Sequence, residues 1–446
     1  MRAVTEPRSF LPGQDAVRIL STRFSKKPML PLLRTLSWLF VPSERLQSCV
    51  PLIISPHLAH LRLHFEDNSP EYCIPILKIL TKAAGSLKSV DITPDFDSAE
   101  MRDAVSELLL NCKPNLLREF RVASPISEAA LLHAAQLPGL INFSLRGGTP
   151  AMTGPPPLTM FPSLRTLLLS AGDSPTWLEL LRHIQSKQLT HLLIDFERGD
   201  TDTLPMLSTH IQHSGMYKTL TVLNLHPGDE WIINKISIAP LLALGELVSL
   251  TIYTACGDDH CLFLLSDKDI ERLAKAMPNL VFLSLGAPCP AQMRNDLTVK
   301  SLLAIAKHCK HLRTLEMHVN CESIVMSAYE REDPVARYIP PTGPPDYDGC
   351  PLGLVTFGSC PIPMESEGGI IFAMTLLQLF PRLFEVQWNP PGLTPPWSSV
   401  NALIRDHNQV RSNLARFGKS AYVHHFNNAL TLPQRISLRS SYAPLL

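Results

Sequence analysis

Five histidines, His60, His64, His191, His226 and His318, are the side chains whose type and placement could do chemistry here, as zinc ligands or as acid-base groups. His60 and His64 stand four apart in an alternating segment, so they share one side of a strand. Their separation along it is about 13 Å, too far for one zinc that holds each ligand at about 2 Å. The cluster Cys256-Gly-Asp-Asp-His-Cys261 has ligand-type residues but no second pair at a finger spacing. His308-Cys309-Lys-His311 reads as a helix end, where basic side chains favour the dipole. There is no G-x-S-x-G, G-x-x-x-x-G-K-[ST], H-E-x-x-H or G-x-G-x-x-G, and Asp258/Asp259 lies in a loop segment without a matched acid and base. These readings predict no metal, no cofactor and no enzymatic activity.

The composition narrows the classes further. Of 446 residues 45% are hydrophobic and 18% charged, with 40 basic against 40 acidic side chains. That is enough apolar material for a large core, and too even a charge for a generally basic nucleic-acid binder. The ten cysteines have no paired C-x-x-C spacing, and Met1 to Phe10 is polar, which predicts a reduced intracellular protein, cytoplasmic or nuclear, without a signal peptide. The longest apolar run, Ile370 to Phe380, is about half of what a bilayer crossing needs, so no membrane span is expected. The 40 prolines, nearly twice average usage, point to frequent breaks between elements.

What must position the histidines is a repeat. The pattern L-x-x-L-x-L recurs as Leu33, Leu36, Trp38; Leu58, Leu61, Leu63; Leu87, Val90, Ile92; Leu117, Phe120, Val122; Leu140, Phe143, Leu145; and Leu164, Leu167, Leu169. It continues through Leu189, Leu192, Ile194; Leu220, Leu223, Leu225; Leu247, Leu250, Ile252; Leu280, Leu283, Leu285; and Leu312, Leu315, Met317. Weaker copies are Leu352, Val355, Phe357 and Leu383, Val386, Trp388. The 13 first positions are 23 to 33 residues apart, with one step of 40, which is the leucine-rich-repeat period or just above it. Alternation sends the last two apolar side chains inward and the intervening ones to the open face of a parallel sheet, while the first leucine covers the core from the turn. Phrases such as Phe161-Pro-Ser-Leu and Met277-Pro-Asn-Leu lead into several units, so much of the proline is punctuation.

Between many strands lies a helical spacing: Ser98 to Cys112, Ser127 to Leu137, Ser174 to Gln185, Ser266 to Met277 and Leu297 to Cys309. Ser174-Pro175 and Ser266-x-x-Asp269 mark helix starts. The expected fold is therefore α/β: a leucine-rich-repeat solenoid, an irregular horseshoe or arc with a parallel sheet on its concave face and helices on its convex face. A doubly wound α/β domain would need longer crossovers and a nucleotide-binding turn.

Residues 1–30 read as an N-terminal cap with a helix around Gln14 to Phe24, residues 31–396 as the array, and residues 397–446 as a capping helix, Trp397 to Phe417, followed by a tail. Loop insertions fall near 147–162 and 321–350, the second offering Tyr329, Tyr338 and Tyr347 amid prolines. The usual Asn or Cys after the last strand leucine is present only as Asn320 and Cys360, so glycine, proline and local polar groups must close the turns.

With the repeat and its lead-in phrases in hand, the chain resembles the leucine-rich-repeat region of F-box proteins, particularly the divergent set of mushroom-forming fungi. The resemblance covers roughly residues 15–415 and is carried most clearly by Leu30-Pro-Leu-Leu-Arg-Thr-Leu-Ser-Trp38 and by the segment Ile54 to Leu63. It implies substrate recognition for a cullin-type ubiquitin ligase. The F-box itself is expected to be missing, because Phe10-Leu-Pro-Gly-Gln14 stands too close to the first repeat for three helices to follow. A Skp-type adaptor is then a partner only if an F-box lies upstream.

On the sheet, the candidate partner-binding residues are His60, Arg62, His64, Arg121, Arg146, His191, Asp195, Asn224, His226, Tyr253, Glu316 and His318. Ser89, Asp91, Glu119, Asn142, Ser144, Thr251, Phe282, Ser284, Thr314, Glu385, Gln387 and Asn389 share the same face. It is polar, mixed in charge and poor in aromatics, which suits a protein partner better than a phosphate backbone. The reading is a non-catalytic, monomeric recognition module that binds a protein on its concave face, with no nucleic acid and no membrane. A scaffold or regulator, for example of a small GTPase, is the alternative.

Overall fold

The computed structural model describes residues 3–4, 19–20, 22–24, 28–41, 43–65, 70–94, 98–148, 160–184, 186–198, 203–226, 232–253, 262–286, 297–320, 350–357, 366–388, 400–409 and 412. They fall into two compact units, Met1–Asp229 and Glu230–Leu446.

In the first unit the alternating segments form strands β1 (Ala3–Val4), β2 (Thr35–Val41), β3 (His60–Phe65), β4 (Ser89–Thr93), β5 (Glu119–Val122), β6 (Asn142–Leu145), β7 (Thr166–Asp173), β8 (His191–Arg198) and β9 (Val222–His226). They pair in chain order and all in parallel. The register aligns the repeat itself: Leu36, Leu61, Val90, Phe120, Phe143, Leu167, Leu192 and Leu223 form one column, and Trp38, Leu63, Ile92, Val122, Leu145, Leu169, Ile194 and Leu225 the next. The first leucines of these repeats, Leu33 through Leu220, are completely buried and complete a three-column core.

The second unit repeats the arrangement with β11 (Ser249–Ile252), β13 (Phe282–Leu285), β14 (Thr314–Met317), β15 (Leu354–Phe357) and β16 (Glu385–Trp388), which align Leu250, Leu283, Leu315, Val355 and Val386. A separate two-stranded sheet joins β10 (Ile233–Asn234) to β12 (Phe263–Leu264). The last two members of all 13 apolar triads thus lie on parallel strands in the expected register, each first leucine just ahead of its strand, and the fold is a leucine-rich-repeat solenoid.

Helices connect the strands on the other face. In the first unit these are α1 (Ser43–Ile53), α2 (Pro70–Thr81), α3 (Ala99–Leu110), α4 (Glu128–Gln136), α5 (Ser174–Arg182) and α6 (Thr203–His213). In the second they are α7 (Lys235–Ile238), α8 (Asp267–Ala276), α9 (Val299–His308) and α10 (Ser366–Leu379). Of the two helix starts marked in the sequence, Ser266 forms its cap, its N–H donating to the Asp269 carboxylate at 3.0 Å, and Ser174 is the first residue of α5. Two further caps form where Ser98 Oγ accepts from the Met101 N–H at 3.1 Å and Ser127 Oγ from the Ala130 N–H at 3.3 Å. Proline is not only punctuation. Pro51 and Pro75 lie inside α1 and α2, where each removes a helix donor, and burial of Cys73, Ile76, Leu77 and Leu80 on α2 outweighs that loss.

Capping also runs between repeats. The Ser127 N–H donates to Ser106 Oγ of the preceding helix at 2.8 Å. In the second unit Asp267, at the start of α8, accepts from the Thr298 N–H at 2.8 Å, Thr298 Oγ1 at 2.7 Å, the Ser301 N–H at 3.2 Å and Ser301 Oγ at 2.5 Å. One carboxylate therefore serves the N-terminus of the next helix.

The polar ladder absent from the strand exits is found at the strand starts. Ser86 Oγ donates to the Leu58 carbonyl at 2.7 Å, Ser186 Oγ to Leu164 at 2.5 Å, Thr219 Oγ1 to Leu189 at 2.8 Å, and Cys350 Sγ to Leu312 at 3.6 Å. In each case a residue just ahead of one repeat reaches the first-leucine carbonyl of the repeat before it. At the last strand the Asn401 side chain stands in for a neighbour, accepting from the Val386 N–H at 2.9 Å and donating to the Val386 carbonyl at 2.7 Å. Residues 400–409, which carry Asn401, are helical. Of the expected helix at Gln14 to Phe24, the described residues include one bond from the Phe24 N–H to the Leu20 carbonyl at 2.8 Å. Residues 321–349, with their three tyrosines, lie outside the described residues. No described helix is long and apolar enough to cross a membrane.

Leu192 is completely buried between Leu167 and Leu223 in register, so Leu192→Ala is expected to cost about 2–5 kcal/mol, while the exposed Lys187→Ala stays within about 0.5 kcal/mol. Urea unfolding followed by circular dichroism checks this, and equal midpoints for the two variants would contradict the column.

Candidate functional site

The face left open by the inward columns carries the residues between them. Register places Arg62, Asp91, Arg121, Ser144, Leu168, Leu193 and Asn224 in one row across the first unit, and His60, Ser89, Glu119, Asn142, Thr166, His191 and Val222 in the row beside it. Beyond them stand His64 on β3, Arg146 after β6, and Asp195 beside His226. In the second unit Thr251, Ser284, Glu316, Thr356 and Gln387 form a row, with Tyr253 and His318 just beyond their strands. All twelve candidate residues are exposed or half-buried; register pairs Asp195 with His226 on adjacent strands, and the others face different neighbours across the sheet. Cys256 to Cys261 and Asn389 lie outside the described residues.

The carboxylates of the first unit's face are held by their own neighbours. Asp91 meets Arg62 at 3.4 Å. Glu119 accepts from Ser89 Oγ and Asn142 Nδ2, both at 3.1 Å, and Asp195 accepts from Ser170 Oγ at 3.1 Å. Arg121 and Arg146 are exposed and have no carboxylate partner among the described residues. The Arg62 pair is too exposed to stabilise much, so its effect is to hold Asp91 in place.

Sequence reading missed three residues here. Leu168, Leu193 and Val222 are half-buried on the open face and form an apolar patch beside Asn224. Their signal is a lapse of alternation, in Leu167-Leu168-Leu169 and Leu192-Leu193-Ile194, where the middle residue has no polar character to mark its side. The Asn224 carboxamide oxygen is itself buried and has no hydrogen-bond partner among the described residues.

Reactive groups are elsewhere or suppressed. Burial pushes the Cys112 and Cys309 thiols up to about 12 and Cys350 to about 11, so they stay protonated and unreactive. Among the described residues no group of three or more His, Cys, Asp or Glu is arranged to hold a metal ion. One histidine with a marked environment is His210, in the helix layer, whose Nε2 meets the Leu181 carbonyl at 2.7 Å. Burial holds it below its ordinary value, the carbonyl bond opposes this, and Arg182, His213 and His183 add repulsion.

No protein-family profile matches the chain, and a search of curated proteins finds no match. Among solved structures, the leucine-rich repeat-containing protein LegL7 from Legionella pneumophila is similar at 12% identity, over 90% of this chain and 97% of that one, with a TM-score of 0.31. So loose a likeness adds nothing to the strand register as the ground for the fold.

Because the folded value of His210 lies below the unfolded one, its contribution to stability is full above about pH 6.5 and is lost as the pH falls, when the unfolded chain takes up a proton that the folded state resists. The urea midpoint is expected to fall between about pH 7 and pH 5 more steeply for the wild type than for His210→Gln. Equal slopes would show that His210 contributes no acid sensitivity.

Proposed function

We propose that this chain is a non-catalytic protein-recognition module that holds a partner protein on the open face of its parallel sheet. The supporting observation is the first unit's face, where Arg121 and Arg146, without carboxylate partners among the described residues, share the sheet face with the apolar patch of Leu168, Leu193 and Val222, Arg121 being one strand removed from Leu168 across Ser144. A few unpaired charges around apolar area, with the local carboxylates already held, is the composition of a protein-binding surface. A nucleotide or metal site would instead need converging phosphate-binding amides or ligands.

The finer reading follows the resemblance to F-box proteins. On it, the bound partner is a substrate presented to a cullin-type ubiquitin ligase. The array supplies recognition, and coupling to the ligase needs an adaptor-binding module.

The test is affinity capture with the full chain, with Arg121→Glu/Arg146→Glu, and with Leu193→Ser, each checked by its thermal melt. The proposal expects a defined partner protein whose recovery falls at least about tenfold with either face variant while the melt is unchanged. Recovery that ignores both variants would remove the open face from recognition. Co-recovery of a Skp-type adaptor or cullin, with the chain or with a form extended by its in-frame upstream sequence, supports the ligase reading, and a partner captured without either one in both forms contradicts it.

A further inference from the structure

The balanced net charge conceals a segregation. In the first unit the segments that lead into the strands, 28–34, 54–59, 82–88, 111–118, 137–141, 160–165, 183–190 and 214–221, contain Arg34, Lys82, Lys88, Lys113, Arg118, Arg165, Lys187 and Lys218 and no Asp or Glu. All eight side chains are exposed, and among the described residues none pairs with a carboxylate. They lie along the edge of the sheet where the strands begin, a surface distinct from the open face.

Part of this has an internal cause. Every helix runs from a strand's end to the next strand's start, so the helix dipoles are aligned. Acidic residues, Glu71, Glu100 and Glu128, occupy first turns, and Lys82, Lys113, Lys187 and Lys218 follow helix ends, as the dipole favours. The dipole does not account for Arg34, Lys88, Arg118 and Arg165. These four occupy the second position of the repeat, just ahead of β2, β4, β5 and β7, several residues beyond the end of any α-helix, although Lys88 follows the single 3-10 turn Ala84–Ser86.

Two of these side chains reach along the edge. Arg118 Nη1 donates to the Gly139 carbonyl of the next lead-in turn at 3.0 Å, and Arg165 Nε reaches Gln188 Oε1 of its next turn at 3.4 Å. Lys113 lies against Gly85 of the turn before it, where an added Cβ would stand 3.4 Å from Lys113 Cε. At about 4.8 Å per strand, the second-position charges are about 5–10 Å apart, within one Debye length at about 0.1 M salt, so their potentials add.

We propose that this lead-in edge is a docking surface for an extended acidic segment of a partner protein. An extended polypeptide with carboxylates on alternate residues places them about 7 Å apart on one side, which matches the spacing of the edge. A nucleic acid fits less well. Five of the eight charges are lysines, two of the three arginines are already hydrogen-bonded, and Tyr217 is the one aromatic in these segments outside the buried Phe161, so the edge has no stacking platform. This proposal does not depend on what the open face binds.

The test uses the full chain and fluorescence anisotropy with a labelled (Glu-Gly)6 peptide, a (Gln-Gly)6 control and a labelled dT12 oligonucleotide, at about 20 mM and 150 mM salt. The acidic peptide is expected to bind with a salt-dependent Kd that weakens about tenfold in Lys88→Glu/Lys113→Glu and less in the milder Lys88→Gln/Lys113→Gln. Arg121→Glu/Arg146→Glu, on the open face, is expected to change it less than about twofold. The proposal is overturned if the edge variants bind the peptide like wild type, if the open-face variant loses it instead, or if dT12 binds more tightly than the peptide.

Discussion

One backbone carbonyl per repeat sets the register on which everything else depends. At the second position of each unit it accepts two N–H groups from the next repeat: Arg34 from Ala59 and His60, Lys88 from Arg118 and Glu119, Arg165 from Thr190 and His191, and in the second unit Val281 from Arg313 and Thr314. Across the two units these bonds run from 2.7 to 3.2 Å. A slip of one residue would break the forked bond and turn every inward leucine outward. Because strand spacing is about 4.8 Å, this single contact also decides which side chains become neighbours on the open face and which basic residues align along the edge.

Stability and specificity are divided between the two sides of that ladder. Inward, the three apolar columns provide the burial that drives folding, with the Phe120 and Phe143 rings stacked at 6.2 Å and the Phe143 and Phe161 rings tilted at 5.1 Å. Outward, each repeat contributes only a few side chains, most of which satisfy one another. The helix layer is fastened separately, by Ser106 and Asp267 reaching the starts of following helices. A repeat protein can then vary its open face with little effect on the core, since each repeat packs mainly on its neighbours.

Much of the architecture was legible from spacing alone. The thirteen triads, the helix start at Ser266 and the side to which each histidine belongs all follow from period-two and period-3.6 patterns and a capping phrase. Helices α1 and α2 were harder to see because Pro51 and Pro75 read as breakers, and only tertiary burial shows why they are tolerated. The hydroxyl ladder of Ser86, Ser186 and Thr219 was hidden because its residues are common turn formers, and their long-range partners have no sequence signature. On the site, polarity identified the charged residues, whereas Leu168 and Leu193 were indistinguishable from core until the register assigned their side. Charge balance over the whole chain likewise masked the basic edge, which becomes visible only when residues are sorted by position within the repeat.

The most direct test of this account is residue-resolved hydrogen exchange of the intact chain by mass spectrometry with electron-transfer fragmentation. The forked ladder predicts slow exchange at both members of each receiving pair, among them Ala59/His60, Lys88/Ser89, Arg118/Glu119 and Arg313/Thr314. Exchange at those amides as fast as in an unfolded chain, or protection displaced by one residue, would contradict the register and with it the assignment of every face residue.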